Sequence, residues 1–103
     1  PLANADNNAI PIVTTLQKNY PNPFNPETTI RYSLSEAGPI KLDVYNIKGQ
    51  LVRKLVNEPK AAGNYTVDWN GKDEQGMNVS SGIYFYRMQT KNYSSTQKMM
   101  LMK

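Results

Sequence analysis

The sequence predicts an all-β fold, a sandwich of about seven antiparallel strands, on three observations. Apolar residues recur with period two along several short segments, the signature of half-buried strands. Turn residues punctuate those segments every ten residues or so, the spacing of sandwiches and barrels. No window of about a dozen residues sustains a helical stripe free of Gly and Pro.

Taken in order, residues 1–19 (PLANADNNAIPIVTTLQKN) are biased to Asn, Ala and Pro, with one apolar patch from Ile10 to Val13. They read as a linker whose last part pairs as an edge strand, which leaves 20–103 as the folded domain. Tyr20-Pro21-Asn22-Pro23-Phe24-Asn25-Pro26 follows. Its three prolines fix φ and remove backbone donors, so it is an ordered, non-helical lead-in. From Thr28 the period is two: Ile30, Tyr32 and Leu34 alternate with polar residues, and so do Ile40, Leu42 and Val44 after Gly38-Pro39. Asn46-Ile47-Lys48-Gly49 turns the chain, Gly49 being able to take a positive φ. Leu51, Val52, Leu55 and Val56 fit a helical i, i+4 turn as well as a strand. Their β-branched content and short length favour strand. Tyr65, Val67 and Trp69 mark another strand, and Asn70 to Gly76 a long turn region closed by Ser80-Ser81-Gly82. Ile83 to Thr90 and Ser95 to Met102 complete the set around a Lys91-Asn92 turn.

The expected core is Ile30, Tyr32, Leu42, Val44, Tyr65, Val67, Trp69, Tyr84 and Tyr86. Trp69, the single tryptophan, is either core or an exposed stacking platform, and its dry parity favours core. Met99, Met100, Leu101 and Met102 are apolar on both faces of the last strand. Either a neighbouring sheet wraps that strand, or its Met side chains form an adaptable recognition surface.

The chain has 103 residues, enough for one domain with a thin core. It contains neither Cys nor His. Disulfides, thiolates, imidazole ligands and a general base poised near neutral pH are thereby excluded, which argues against catalysis and against any cofactor. No apolar run reaches about 18 residues, so no transmembrane helix or direct membrane insertion is expected. These residues show no basic segment followed by an apolar one, so no secretory leader is expected among them, and the first residue is Pro1. The chain therefore reads as a fragment or processed product, and whatever exports the parent is expected upstream of Pro1 or at this end of it. Net charge is +4. Residues 1–74 carry equal numbers of basic and acidic side chains, and Arg87, Lys91, Lys98 and Lys103 supply the excess. Four charges so spread suit lysines that guard an edge strand better than a surface that tracks phosphates, so no nucleic acid partner is expected.

Asp68, Asn70, Asp73 and Glu74 offer oxygens that a Ca²⁺ ion would want. The EF-hand order fails here, with Lys72 and Asp73 at the wrong positions, so a solvated turn is the expectation and no metal site is assigned. Serines lack a histidine partner, and the glycines do not follow a strand–helix phosphate-binding context.

The string Leu16…Asn19-Tyr20-Pro21-Asn22-Pro23-Phe24-Asn25-Pro26-x-Thr28-Thr29-Ile30 resembles the opening of type IX secretion system type A C-terminal sorting domains. The likeness continues through Val44 to Val52, Ala62 to Tyr65, Ser81 to Tyr86 and Lys98-Met99-Met100-Leu101-Met102-Lys103. Trp69-Asn70-Gly71-Lys72-Asp73-Glu74-x-Gly76 also resembles the immunoglobulin-like domain of flagellar hook-capping proteins. Both resemblances imply an immunoglobulin-like or fibronectin-like sandwich. Within it, Gly49, Trp69, Gly71, Gly76, Gly82 and Tyr84 form the core and turn signature, Tyr84 matching the tyrosine corner of such folds.

The sorting resemblance further implies an exported protein of a Gram-negative bacterium, periplasmic in transit and then at the cell surface or outside. The domain would be joined to an upstream cargo domain, read by outer-membrane secretion machinery and cut in the linker by a sortase-like peptidase. Lys98 to Lys103 are the candidate recognition residues, by strand addition or docking at the last hairpin. Two other readings stand beside it. One is a structural spacer domain of a surface or flagellar-cap-like assembly. The other is a carbohydrate-binding module using Tyr20, Phe24, Tyr45 and Tyr93.

Overall fold

The computed structural model describes residues 12–103. Most of the expected linker lies outside the described residues. Among the described residues there are seven strands and no helix: β1 (Thr15–Leu16), β2 (Thr28–Leu34), β3 (Gly38–Asn46), β4 (Leu51–Lys60), β5 (Gly63–Trp69), β6 (Gly82–Gln89) and β7 (Ser94–Leu101). They form two antiparallel sheets with strand orders β1-β2-β5 and β4-β3-β6-β7. In the lettering of immunoglobulin-like sandwiches this is A-B-E facing C′-C-F-G.

The alternation of each strand sets which residues fill the space between the sheets. Ile30, Tyr32, Leu42, Val44, Trp69, Tyr84 and Tyr86 are buried, each at its expected parity. Leu34, Ile40, Met88, Met99 and Leu101 join them from the same strand faces. Tyr65 and Val67 need a correction. Both are half-buried and pack on the core from its rim, because β5 is an edge strand. The Tyr65 ring stacks on Tyr32 at 5.4 Å, and Lys60 Nζ, 5.0 Å from the ring centroid, covers it.

β1 sits inside the segment read as linker, where it pairs Leu16 with Tyr32. Leu16 and Asn19 are both buried, so the packed body begins before Tyr20. β4 is a strand, and two register shifts against β3 account for its helix-like spacing. Each bulge adds a residue on β4, so Lys54 is exposed opposite Asp43 although strict alternation would put it on the same face as the inward Val52 and Val56. Pro59 is tolerated because β4 is an edge strand.

Two loops share one design. Asn46 and Asp73 each accept, through the side-chain oxygen, the N–H groups two and four residues on. Gly49 and Gly76, three residues after each, hold φ of 80° and 81°, which their lack of Cβ permits. The sequence repeats a second device as well. In Ala61-Ala62-Gly63-Asn64-Tyr65 and Ser80-Ser81-Gly82-Ile83-Tyr84 the tyrosine opens a strand and donates its hydroxyl to the carbonyl four residues back. The distance is 2.6 Å in both. The second is the tyrosine corner expected at the start of β6.

Candidate functional site

The lead-in, the Trp69 region and the last strand meet at one end of the sandwich. Tyr20 pairs with Thr29 through two backbone bonds of 2.9 Å. Asn19 Nδ2 donates to Thr28 Oγ1 at 2.9 Å, and that hydroxyl donates to the Pro21 carbonyl at 2.8 Å. With no N–H on three of its seven residues, the lead-in must find other bonds, and it finds them on β7. Phe24 N donates to Met100 O at 3.0 Å, and Met102 N donates to Phe24 O at 2.9 Å. Asn22 Oδ1 accepts the Met100 N–H at 3.0 Å, standing in for a strand carbonyl. Pro21, Pro23, Asn25 and Pro26 are exposed, as is Tyr20.

The Phe24 ring is 2% exposed. It lies 5.7 Å from Trp69, which in turn meets Tyr84 edge-on at 5.3 Å. Trp69 Nε1 donates to Lys72 O at 2.9 Å, so the buried indole leaves no orphan donor. Gly71 takes φ +75°, and a Cβ there would stand 3.3 Å from Pro26 O and 3.6 Å from Leu101 Cδ2. Glycine at this position lets lead-in, turn and last strand close together. Gly49 and Gly76 lie in the two matched turns, and Gly82 precedes the tyrosine corner at φ +148°.

The last strand has one face covered by the sandwich and one open to solvent. Met99 and Leu101 are 1% and 0% exposed, whereas Met100 and Met102 are 38% and 53% exposed. Lys98 is exposed across the strand pair from Phe85. Lys103 donates its backbone N–H to Ser81 Oγ at 3.1 Å and its ammonium to Val79 O. The lead-in occupies the β7 edge at Met100 and Met102. Strand addition there would have to displace it.

β6 and the turn ahead of β7 are tied to the segment before the lead-in. Leu16 N donates to the Tyr93 hydroxyl at 3.1 Å, and Tyr86 Oη donates to Gln17 O at 2.7 Å. Burial pushes the Tyr86 phenol up to about 12.

Two other candidate sets resolve differently. Phe24 is a correction to the carbohydrate platform, since its ring is buried in the core against Trp69. Tyr45 lies under Arg87 and Tyr93 is half-buried, while Tyr20 is 79% exposed. The four do not share an exposed face. Among the possible Ca²⁺ ligands, Asp68 accepts the Thr29 hydroxyl, Asn70 accepts Lys72 N–H and Asp73 holds its own turn. Glu74 Oε2 accepts Lys54 N–H at 2.6 Å and lies 3.7 Å from Arg53 Nε. No group of three acids converges among the described residues.

The sequence reading missed that Asn22 and Phe24 contact β7. No signal in the sequence marked these contacts, because they run through Phe24 backbone atoms and the side-chain oxygen of an exposed Asn22.

Several solved structures share this fold. Dimeric latent PorU from Porphyromonas gingivalis superposes with TM-score 0.69 at 17% identity, over 94% of this chain and 10% of that one. PorZ, described as an essential bacterial surface component of the type IX secretion system of human oral-microbiomic P. gingivalis, gives 0.59 at 22% identity, over 84% and 11%. FlgD from P. aeruginosa gives 0.56 at 26% identity, over 72% and 57%. The chain thus spans about a tenth of two of these proteins and just over half of the third. Comparison with curated proteins gives no match. The FlgD Ig-like domain family matches residues 25–94, from inside the lead-in to the first residue of β7. With that match over most of the sandwich, the chain belongs to the FlgD Ig-like domain family.

Proposed function

We propose that this domain is a non-catalytic sorting module, read as a folded unit by outer-membrane secretion machinery of the type IX kind. An upstream cargo travels with it, and a sortase-like peptidase separates the two in the linker. Its place of work is the path from periplasm to cell surface. The observation that carries this reading is the joint between lead-in and last strand. The two segments most characteristic of the sorting resemblance are bonded into one surface through Asn22, Phe24, Met100 and Met102. A receptor could therefore read both only when the domain is folded. Fold likeness to PorU and PorZ supports the same direction.

The test is a secreted reporter fused to residues 1–103 in a bacterium with a type IX system. Lys98→Glu, Lys103→Glu and Met100→Ser versions are compared with the intact fusion for export and for thermal stability. Export should fall for folded variants. Unchanged export in every folded variant defeats the reading.

A second reading is a structural Ig-like spacer, favoured by the family match itself. It is distinguished by moving the domain to an internal position in the reporter. A spacer tolerates the move, whereas a terminal sorting module loses export.

A further inference from the structure

The two sheets turn very different outer faces to solvent. The outward positions of β2 and β5 are Thr29, Arg31, Asn64, Thr66 and Asp68, a polar set of mixed charge. On the other sheet, cross-strand register lines up a different composition. One row runs Lys98, Phe85, Tyr45, Leu51 across β7, β6, β3 and β4. The next row runs Thr96, Arg87, Asp43, Lys54, and Met100 stands beside Ile83 at the near end of β7. Residues in register share one face of a sheet, so Met100, Ile83, Phe85, Tyr45 and Leu51 form a continuous apolar band.

Charge on this face has one sign where solvent can reach it. Lys41, Lys54 and Lys98 are exposed, and Asp43 is 8% exposed. The Tyr45 hydroxyl donates to Asp43 at 3.4 Å, and Arg87 covers the Tyr45 ring at 4.9 Å while donating to its hydroxyl at 2.9 Å. Beside this stack lies a groove of about 270 Å³ lined by Tyr45, Ile47, Phe85, Arg87 and Thr96 among others. Its volume suits one or two side chains, not a cofactor or a helix.

We propose that the outer face of the β4-β3-β6-β7 sheet docks an acidic protein segment that seats an apolar side chain in this groove. Charge complementarity selects the occupant. The lysines steer an acidic surface in, and the apolar band is desolvated on contact. A second copy would bring Lys41, Lys54 and Lys98 against their own kind. A membrane is disfavoured by shape, because the aromatics are half-buried around a concavity and do not protrude. This inference shares Lys98 and Met100 with the sorting reading but does not rest on it: peptide binding by the isolated chain is measured without export, and either can fail while the other holds.

The experiment is amide-shift mapping of the ¹⁵N-labelled chain with a capped peptide of alternating Glu and Ser around one central Leu. Shifts should concentrate at Tyr45, Phe85, Arg87, Thr96 and Lys98, and binding should weaken as salt screens the lysines. Lys98→Glu, an exposed change that leaves the core alone, should weaken binding about tenfold, and so should Leu→Ser in the peptide. Phe85→Ser should do likewise if its melt shows a folded domain, and Lys98→Glu decides the matter if it does not. Shifts confined to the three-stranded sheet, loss of the salt dependence, or no binding at about 5 mM peptide would overturn the proposal. So would a dimer in sedimentation equilibrium that Lys98→Glu abolishes. Binding to phosphatidylglycerol vesicles in place of the peptide overturns it equally, making the face a lipid surface.

Discussion

Trp69 concentrates more of the core than any other side chain. It is buried, contacts Phe24 and Tyr84, and spends its one donor on Lys72 O. Trp69→Ala should therefore cost about 3–5 kcal/mol in urea melts, as other aromatic core truncations do. A domain of this size holds only about 5–15 kcal/mol, so the variant should be close to unfolding. Asp43 makes the opposite kind of prediction. Burial raises its carboxyl above the ordinary value, against the lowering pull of the Tyr45 hydroxyl and of Lys41, Lys54 and Arg87. A raised pKa means the folded state holds the proton more tightly than the unfolded chain. Stability from this group is thus present in acid and lost as pH rises through the folded value. The difference in unfolding free energy between wild type and Asp43→Asn should shift in favour of Asn from about pH 3 to pH 7. A difference constant with pH would mean that Asp43 keeps its ordinary affinity for the proton.

At the scale of elements, β2, β3 and β5 were legible because each alternates apolar with polar residues, and β6 because turn residues bound a short apolar run. β4 was ambiguous for a physical reason: two bulges break the period, so that Lys54 is exposed between the inward Val52 and Val56, leaving an i, i+4 apolar spacing like a helix's. The joint between lead-in and β7 was illegible. Phe24 pairs with Met100 and Met102 through backbone atoms, and backbone pairing writes no pattern into side chains. Its weight can be divided by mutation. Asn22→Ala removes one exposed side-chain bond and should cost about 1 kcal/mol. Phe24→Ala opens the core and should cost about 3–5 kcal/mol. Equal losses in chemical melts would mean that the ring is not the anchor.

For the molecule as a whole, composition and missing residue types bounded the chemistry, and the Ig-like fold followed from pattern and resemblance. The outer docking face was half legible. Parity marks Lys41 and Asp43 as wet, but only register shows that Lys98, Phe85, Tyr45 and Leu51 stand in one row. The beginning of the packed body can be located by deletion. Removing residues 1–17 should cost about 2–5 kcal/mol more than removing 1–11, because only the longer deletion takes the buried Leu16. Equal stabilities would place Leu16 outside the core.

The bond between Phe24 and the end of β7 also has a meaning in time. During synthesis the lead-in leaves the ribosome early, but its partners Met100 and Met102 are made some three-quarters of the chain later. Pairings so far apart in sequence form late and slowly. Until residue 102 has emerged, Phe24 has no strand to bond, and Trp69 lacks Leu101 and Met99 in its shared core. The domain cannot complete itself from its own beginning. A ribosome stalled at residue 98 should hold a protease-sensitive chain, and one stalled far enough downstream to clear Lys103 should hold a resistant one.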